Sequence, residues 1–180
     1  SFHFDDSHTI QSNIYIQNIK NIPLFFKDGA TFSSLPSNQS YRPVLSTSLA
    51  IDYWLGNGLT DTFQFHLTSY LLFVIIGALL FLFYQKILSY SEESYTVLAV
   101  SLIATAFYLL HPACAETVNY IIQRGDMFAA FFLLLGFVLY AYVPLCRQYY
   151  LYLPVIFIGI LAKPNTLVFA PLFLIYQYLF

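Results

Sequence analysis

The stretch of this sequence richest in groups able to do chemistry is segment 111–126, HPACAETVNYIIQRGD in one-letter code. Pro112 suits the first turn of a helix. Glu116, Asn119, Tyr120 and Gln123 then share one helical face, at i, i+3, i+4 and i+7, while Val118, Ile121 and Ile122 turn away. This pattern predicts a short helix lying in a membrane interface with a hydrogen-bonding side, and Arg124 and Asp126 at its end. A plain connector with a solvated polar face fits the same spacing. A second chemical feature is the acidic pair Asp5-Asp6 before Ser7, where acids and hydroxyls are favoured as caps of a following helix. His3, His8, His66 and His111 lack the paired spacing of a strong metal site. No cofactor follows from these residues, and a divalent metal stays open.

The elements that must hold these groups are strongly apolar. Of 180 residues, 59% are hydrophobic, 20% aromatic and only 9% charged, against about 25% charged in soluble domains. Such a chain cannot clothe itself in a water-compatible surface. Its net charge of −2 gives no reason to expect nucleic acid as a partner. Uncharged stretches run over residues 65–85, 94–115, 127–146, 148–162 and 164–180. A spanning helix needs roughly 17–25 mainly apolar residues. The first and third stretches meet that, and the second does if its last turn sits in the interface. The fourth and fifth are shorter and read as tilted spans, a tight hairpin, or spans cut by the end of the chain. The predicted fold class is all-α: a polytopic transmembrane bundle with helices near 65–84, 95–110, 127–146, 148–162 and 165–180, and an interfacial helix over 111–124.

Residues 1–62 read as an extramembrane loop with amphipathic helices. Ile10, Ile14 and Ile19 predict a helix over 7–19, closed by Pro23. Residues 27–40 read as loop. Pro43 opens a second helix, to about Leu55, which Gly56-Asn57-Gly58 stops. Asp61 then starts the first span. The chain begins with Ser1 and ends at Phe180 inside an apolar run, so a longer parent with an upstream span is expected, the piece alone being inactive.

If each apolar stretch crosses once, Asp5, Asp6, Arg42, His111, Glu116, Arg124, Asp126 and Lys163 gather on one membrane face. Lys86, Glu92, Glu93 and Arg147 remain on the other. Ionisable groups near membrane depth are costly and tend to be functional, so the first face reads as a site. Orientation is not set by positive charge, because Lys86 and Arg147 balance Arg124 and Lys163. Tyr149, Tyr150 and Tyr152 read as an interface belt. Asn38-Gln39-Ser40 matches the N-glycosylation pattern. Cys114 and Cys146 flank the third span and are expected as free thiols.

The series Phe4-Asp5-Asp6 with Ile10 and Asn13, Tyr41-Arg42-Pro43-Val44, Phe65-His66-Leu67, His111-Pro112 with Glu116-Thr117-Val118, and Arg124-Gly125-Asp126 resembles the membrane half of the O-mannosyltransferases that carry transmembrane segments and TPR repeats. Their pattern has an acidic pair in the first lumenal loop, a Tyr-Arg-Pro-Leu-like box, a His-Pro segment with a downstream Glu, and an Arg-Ala-Asp-like triplet. Lys163-Pro164-Asn165 departs from the family's Lys-Glu and is closer to the wider group of GT-C glycosyltransferases, which leaves the acceptor and subfamily open.

The resemblance implies a membrane enzyme that moves a sugar, mannose in this family, from a polyprenyl- or dolichyl-phosphate donor to a hydroxyl of a protein or glycan acceptor, with inversion. The reaction would occur at the lumenal face of the endoplasmic reticulum membrane, or the outer face of a bacterial cytoplasmic membrane. On this reading Asp5 or Asp6 is the base. Arg42, Arg124 and Lys163 bind the donor phosphate, and His111, Glu116 and Asp126 support the site. The partners are then membrane lipid, the lipid-linked sugar and the acceptor. The rival classes are a transporter or lipid-binding subunit that recognises a phosphate-bearing ligand without chemistry, and a structural subunit with no site. Charge at span ends rather than at mid-membrane favours the interfacial enzyme.

Overall fold

A computed structural model describes residues 2–56, 58–59, 62–90 and 93–180, and among them there are helices and turns but no strand. Asn57, Asp61 and Glu92 lie outside the described residues.

The N-terminal segment does not form the expected helix over 7–19. One wide helical turn covers Ser7–Gln11, and then Asn13 redirects the chain. Its buried amide reaches the carbonyls of Thr9 at 3.1 Å, Thr31 at 3.0 Å and Phe32 at 3.1 Å, while its own oxygen accepts from the Tyr15 N–H at 3.0 Å. A side chain that bonds locally to backbone in this way competes with the helical ladder. The apolar face is therefore different from the one expected: Ile10 and Ile16 are buried and Ile14 is 69% exposed. Pro23 sits in the first turn of a short helix, α1 (Ile22–Phe25), instead of closing one. Helix α2 (Pro43–Leu55) opens at Pro43 as the sequence predicts. Ile10, Ile16, Phe25, Phe32, Leu45 and Leu49 close into one core with Phe65 and Ile121. The segment is thus a folded cap that grips the entry to two membrane helices.

The all-α transmembrane bundle is the architecture that forms. Helix α3 (Phe63–Leu88) and the run Ile121–Tyr142 are each long and apolar enough to cross a membrane. Helices α4 (Ser94–Leu109) and α5 (Ala113–Asn119) pass together as a third candidate span, bent by 62° where Pro112 interrupts the ladder. Helix α5 stops at Asn119, because Tyr120 is extended (φ −89°, ψ 102°). A tight turn at Ile121–Gln123 follows, and helix α6 runs from Arg124 to Tyr142. This corrects the expected interfacial helix over 111–124. Ile121 is drawn into the core of the cap and the Ile122 N–H donates to Asp6 at 3.0 Å, so Arg124 and Asp126 stand in the first turn of a span.

After α7 (Pro144–Gln148), α8 (Tyr152–Ala162) and α9 (Phe169–Leu179) have 11 residues each. Each is about 17 Å long, short of the roughly 30 Å hydrocarbon layer. They pair as a hairpin with Lys163 at the tip: Gly159 faces Thr166, and the Tyr152 and Phe173 rings lie 5.4 Å apart. Helix α6 is central, between α3 and α8. A Cβ on Gly159 would stand 2.6 Å from the Phe132 Cβ, and one on Gly136 2.6 Å from the Ile156 Cδ1. Both positions are glycine because α6 and α8 approach so closely.

Candidate functional site: a charged cleft at the capped end of the bundle

The cap, the start of α6 and the tip of the α8–α9 hairpin enclose a cleft of about 260 Å³, lined by Asp5, Arg42, Asp126 and Lys163 with Phe32, Asn38, Tyr120, Ile122 and Gln123. Lys163 Nζ donates to Asp126 Oδ1 at 2.5 Å. The Arg42 guanidinium lies over the Phe32 ring at 5.0 Å. Burial pulls its pKa below the usual range and the Asp126 charge opposes that. The cleft therefore holds two cations around one carboxylate, with Asp5 on its other wall.

The acidic pair splits. Asp5 is exposed; its backbone N–H donates to the Tyr120 hydroxyl at 3.0 Å, and its Oδ1 lies 3.3 Å from His8 Nε2. His8 Nδ1 is 3.0 Å from Ser33 Oγ, and Nε2 is 3.4 Å from Asn38 Nδ2. Sequence reasoning set His8 aside for want of metal spacing. Its i, i+3 relation to Asp5 was the available signal. Asp6 turns inward: it is fully buried and accepts from the His3 N–H at 2.9 Å and the Ile122 N–H at 3.0 Å. Burial raises its pKa, partly offset by those hydrogen bonds. A base must reach its proton, and in this structure Asp5 lines the cleft while Asp6 does not. Asp6 does not cap the turn that follows either.

Arg124 also leaves the expected set. It is 0% exposed. Its Nη1 donates to Asp52 Oδ2 at 2.5 Å and Ser48 Oγ at 3.2 Å, its Nε to Ser69 Oγ at 3.2 Å, and its Nη2 to the Phe65 carbonyl at 2.6 Å. Asp52 accepts in turn from Thr68 at 2.7 Å. Burial pushes the Asp52 carboxyl up and the Arg124 charge offsets part of it. The pair bolts α2, α3 and α6 together under the cleft; four of the five guanidinium N–H donors are spent on protein partners, and Arg124 is buried outside the cleft lining.

Glu116 and His111 are exposed beside the cleft. Glu116 lines a second cavity, of about 240 Å³, with His3, Phe4, Asn119 and Tyr120. His111 lines a third, of about 330 Å³, among Tyr70, Phe73, Leu109, Leu110, Pro112 and Val118. Its Nδ1 also accepts from the Ala113 N–H at 3.2 Å, at the start of α5. Tyr120 borders the first and second cavities and Asn119 the second and third, so an ionic cleft adjoins two mainly apolar cavities, the nearer one carrying Glu116 at its edge. Among the described residues no group of three or more His, Cys, Asp or Glu could hold a metal ion.

Fold and site together define an integral membrane protein with an ionic cleft at the end of its spans and an apolar groove nearby. Over 77% of its length the chain is similar to proteins named as protein O-mannosyl-transferases: 33% identical to TMTC4 of Mus musculus, 30% to TMTC4 of Homo sapiens and 31% to tmtc2 of Xenopus laevis. It is a TMTC-like sequence, and it spans about a fifth of TMTC4 (20%) and 16% of tmtc2. No family model matches the chain, and no solved structure matches it.

Proposed function

We propose that this chain forms the donor-binding membrane part of a glycosyltransferase that moves mannose from a polyprenyl- or dolichyl-phosphate to a hydroxyl of a protein or glycan acceptor, at the lumenal or periplasmic face. The observation that carries the reading is the convergence of Asp5, Arg42, Asp126 and Lys163 on one cleft. The names of the relatives support the sugar and a protein acceptor.

In this mechanism the Asp5 carboxylate takes the proton of the acceptor hydroxyl as its oxygen attacks the anomeric carbon. The bond from that carbon to the phosphate oxygen breaks on the opposite side, so the configuration inverts. The bonding pair leaves with the lipid phosphate, where Arg42 and Lys163 meet it, Arg42 as a fork and Lys163 as a point charge. Asp126 holds Lys163 in place until the phosphate competes for it. Tyr120 fixes the backbone of the base, and His8 shares its carboxylate. The apolar cavity beside His111 suits the isoprenoid chain, and Glu116 the sugar hydroxyls between.

The test is sugar transfer by the full-length parent carrying Asp5→Asn. General-base catalysis contributes about 10²–10⁴-fold, so transfer should fall by at least a hundredfold while donor-lipid binding and thermal stability stay near wild type. Asp6→Asn should instead lower stability, because two backbone donors lose their anionic acceptor. Full activity in Asp5→Asn would remove the catalytic reading. Tight donor binding by a wild-type protein that transfers nothing would favour the non-catalytic phosphate-binding class.

A further inference from the structure

We propose that the opposite end of the bundle carries a second phosphate site, built for the headgroup of an anionic membrane phospholipid and separate from the cleft. The ends of α3, α6, α7 and α9 surround a cavity of about 330 Å³ lined by Lys86, Tyr90, Tyr140, Arg147, Tyr176 and Gln177. Lys86 lies in the last turn of α3 and Arg147 in the last turn of α7, where the helix dipole favours a cation. The Lys86 ammonium lies over the rings of Tyr90 at 5.1 Å and Tyr142 at 5.9 Å, which holds it at the mouth without neutralising it.

At the capped end, Lys163 and Arg124 are matched by Asp126 and Asp52. Among the described residues no carboxylate pairs with Lys86 or Arg147. The polar groups between them are engaged only at long range, Tyr90 with Tyr176 at 3.4 Å between hydroxyls and Gln177 with Tyr140 at 3.4 Å. Two cations with no carboxylate partner among the described residues, beside hydroxyl and amide donors, make a receptor for a phosphate monoanion.

Depth selects the source of that phosphate. The cavity sits where candidate spans end, and Tyr90, Tyr140 and Tyr176 line it, with exposed Tyr149, Tyr150 and Tyr178 close to its lining residues in the chain; this is the level at which aromatic side chains meet lipid headgroups. Basic groups at this level attract anionic lipids. Neither Lys86 nor Arg147 has a role in the proposed transfer reaction, so this site stands independently of it.

The experiment uses the full-length protein, delipidated in detergent and titrated with phosphatidic acid or phosphatidylcholine, with bound lipid counted by native mass spectrometry. Wild type should bind phosphatidic acid in preference to phosphatidylcholine. The double variant Lys86→Gln, Arg147→Gln should lose that preference by about tenfold or more, and Lys86→Arg should keep it. Thermal unfolding checks that each variant is folded. If the double variant is not, Arg147→Gln alone, at an exposed position, serves. Undiminished phosphatidic acid binding in the folded variants would overturn the site. Displacement of phosphatidic acid by equimolar inorganic phosphate would overturn the lipid assignment in favour of a free-phosphate site.

Discussion

Arg42 and Arg124 carry the same charge, and their surroundings give them opposite work. Arg124 has all three guanidinium nitrogens engaged inside the protein, one of them on buried Asp52. Removing one partner of such a pair strands the other charge and costs about 3–5 kcal/mol. Arg124→Gln and Asp52→Asn should therefore each lower the thermal unfolding temperature strongly, as scanned on detergent-solubilised full-length protein, with expression falling in parallel. An unchanged melting curve for both would contradict the buried pair. Arg42 rests on Phe32 at the cleft wall, with the Asp126 charge nearby. Arg42→Gln should leave stability alone and raise the donor concentration for half-saturation by ten- to a hundredfold, since a charge-assisted hydrogen bond is worth about 1.5–3 kcal/mol. An unchanged half-saturation would assign Arg42 to packing. Arg42, Asp126 and Lys163 were legible in the sequence because a chain with 9% charged residues leaves few ionisable groups unexplained. The burial of Arg124 was not, because Asp52 lies 72 positions away in sequence and nothing local announces the pairing. The inward turn of Asp6 was hidden for the same reason: its partner Ile122 is 116 positions away.

Among the elements, the long spans were readable and the short ones were not. Helices α3 and α6 declare themselves through uncharged length, and α2 through Pro43. The expected helix over 7–19 failed on Asn13, whose amide finds carbonyls in a loop that sequence periodicity cannot see. The junction of α5 and α6 was misread because helical spacing continues through Tyr120 in the sequence while the cap pulls the backbone straight there. The α8–α9 hairpin depends on glycines. A methyl at position 159 would meet the Phe132 Cβ at 2.6 Å and the Thr166 Cγ2 at 2.7 Å, and overpacking of this kind costs about 1–3 kcal/mol. Gly159→Ala should lower the unfolding temperature and, by moving the hairpin, loosen Lys163 from Asp126, weakening donor binding. Leu174→Ala, at a position 68% exposed, is the control and should do neither. Equal melting curves for the two variants would show that α6 and α8 do not pack this closely.

At the scale of the whole molecule the arrangement is polar in the directional sense: the folded cap and its cleft lie at one end of the bundle, and the helix ends bearing Lys86 and Arg147 at the other. The bond from the Tyr142 hydroxyl to the Leu82 carbonyl, 2.9 Å, ties the far ends of α3 and α6 together, while Lys163 and Asp126 tie α8 to the near end of α6. Cys114 in α5 and Cys146 in α7 mark the two ends, and both thiols are free and partly accessible. Helix α6 has 19 residues, about 29 Å at 1.5 Å per residue, whereas a disulfide needs Cα atoms within about 7 Å. No 114–146 bond should appear by non-reducing mass spectrometry. The same pair reports orientation. In sealed microsomes containing full-length variants that retain only one of these cysteines, a membrane-impermeant maleimide should label Cys146 directly and Cys114 only after permeabilisation. That result puts the charged cleft on the lumenal side, where lipid-phosphate sugars would have to be presented. The reverse labelling order would move the cleft to the cytosolic side and with it the proposed donor. Labelling of both before permeabilisation would mean that the spans do not separate the two ends.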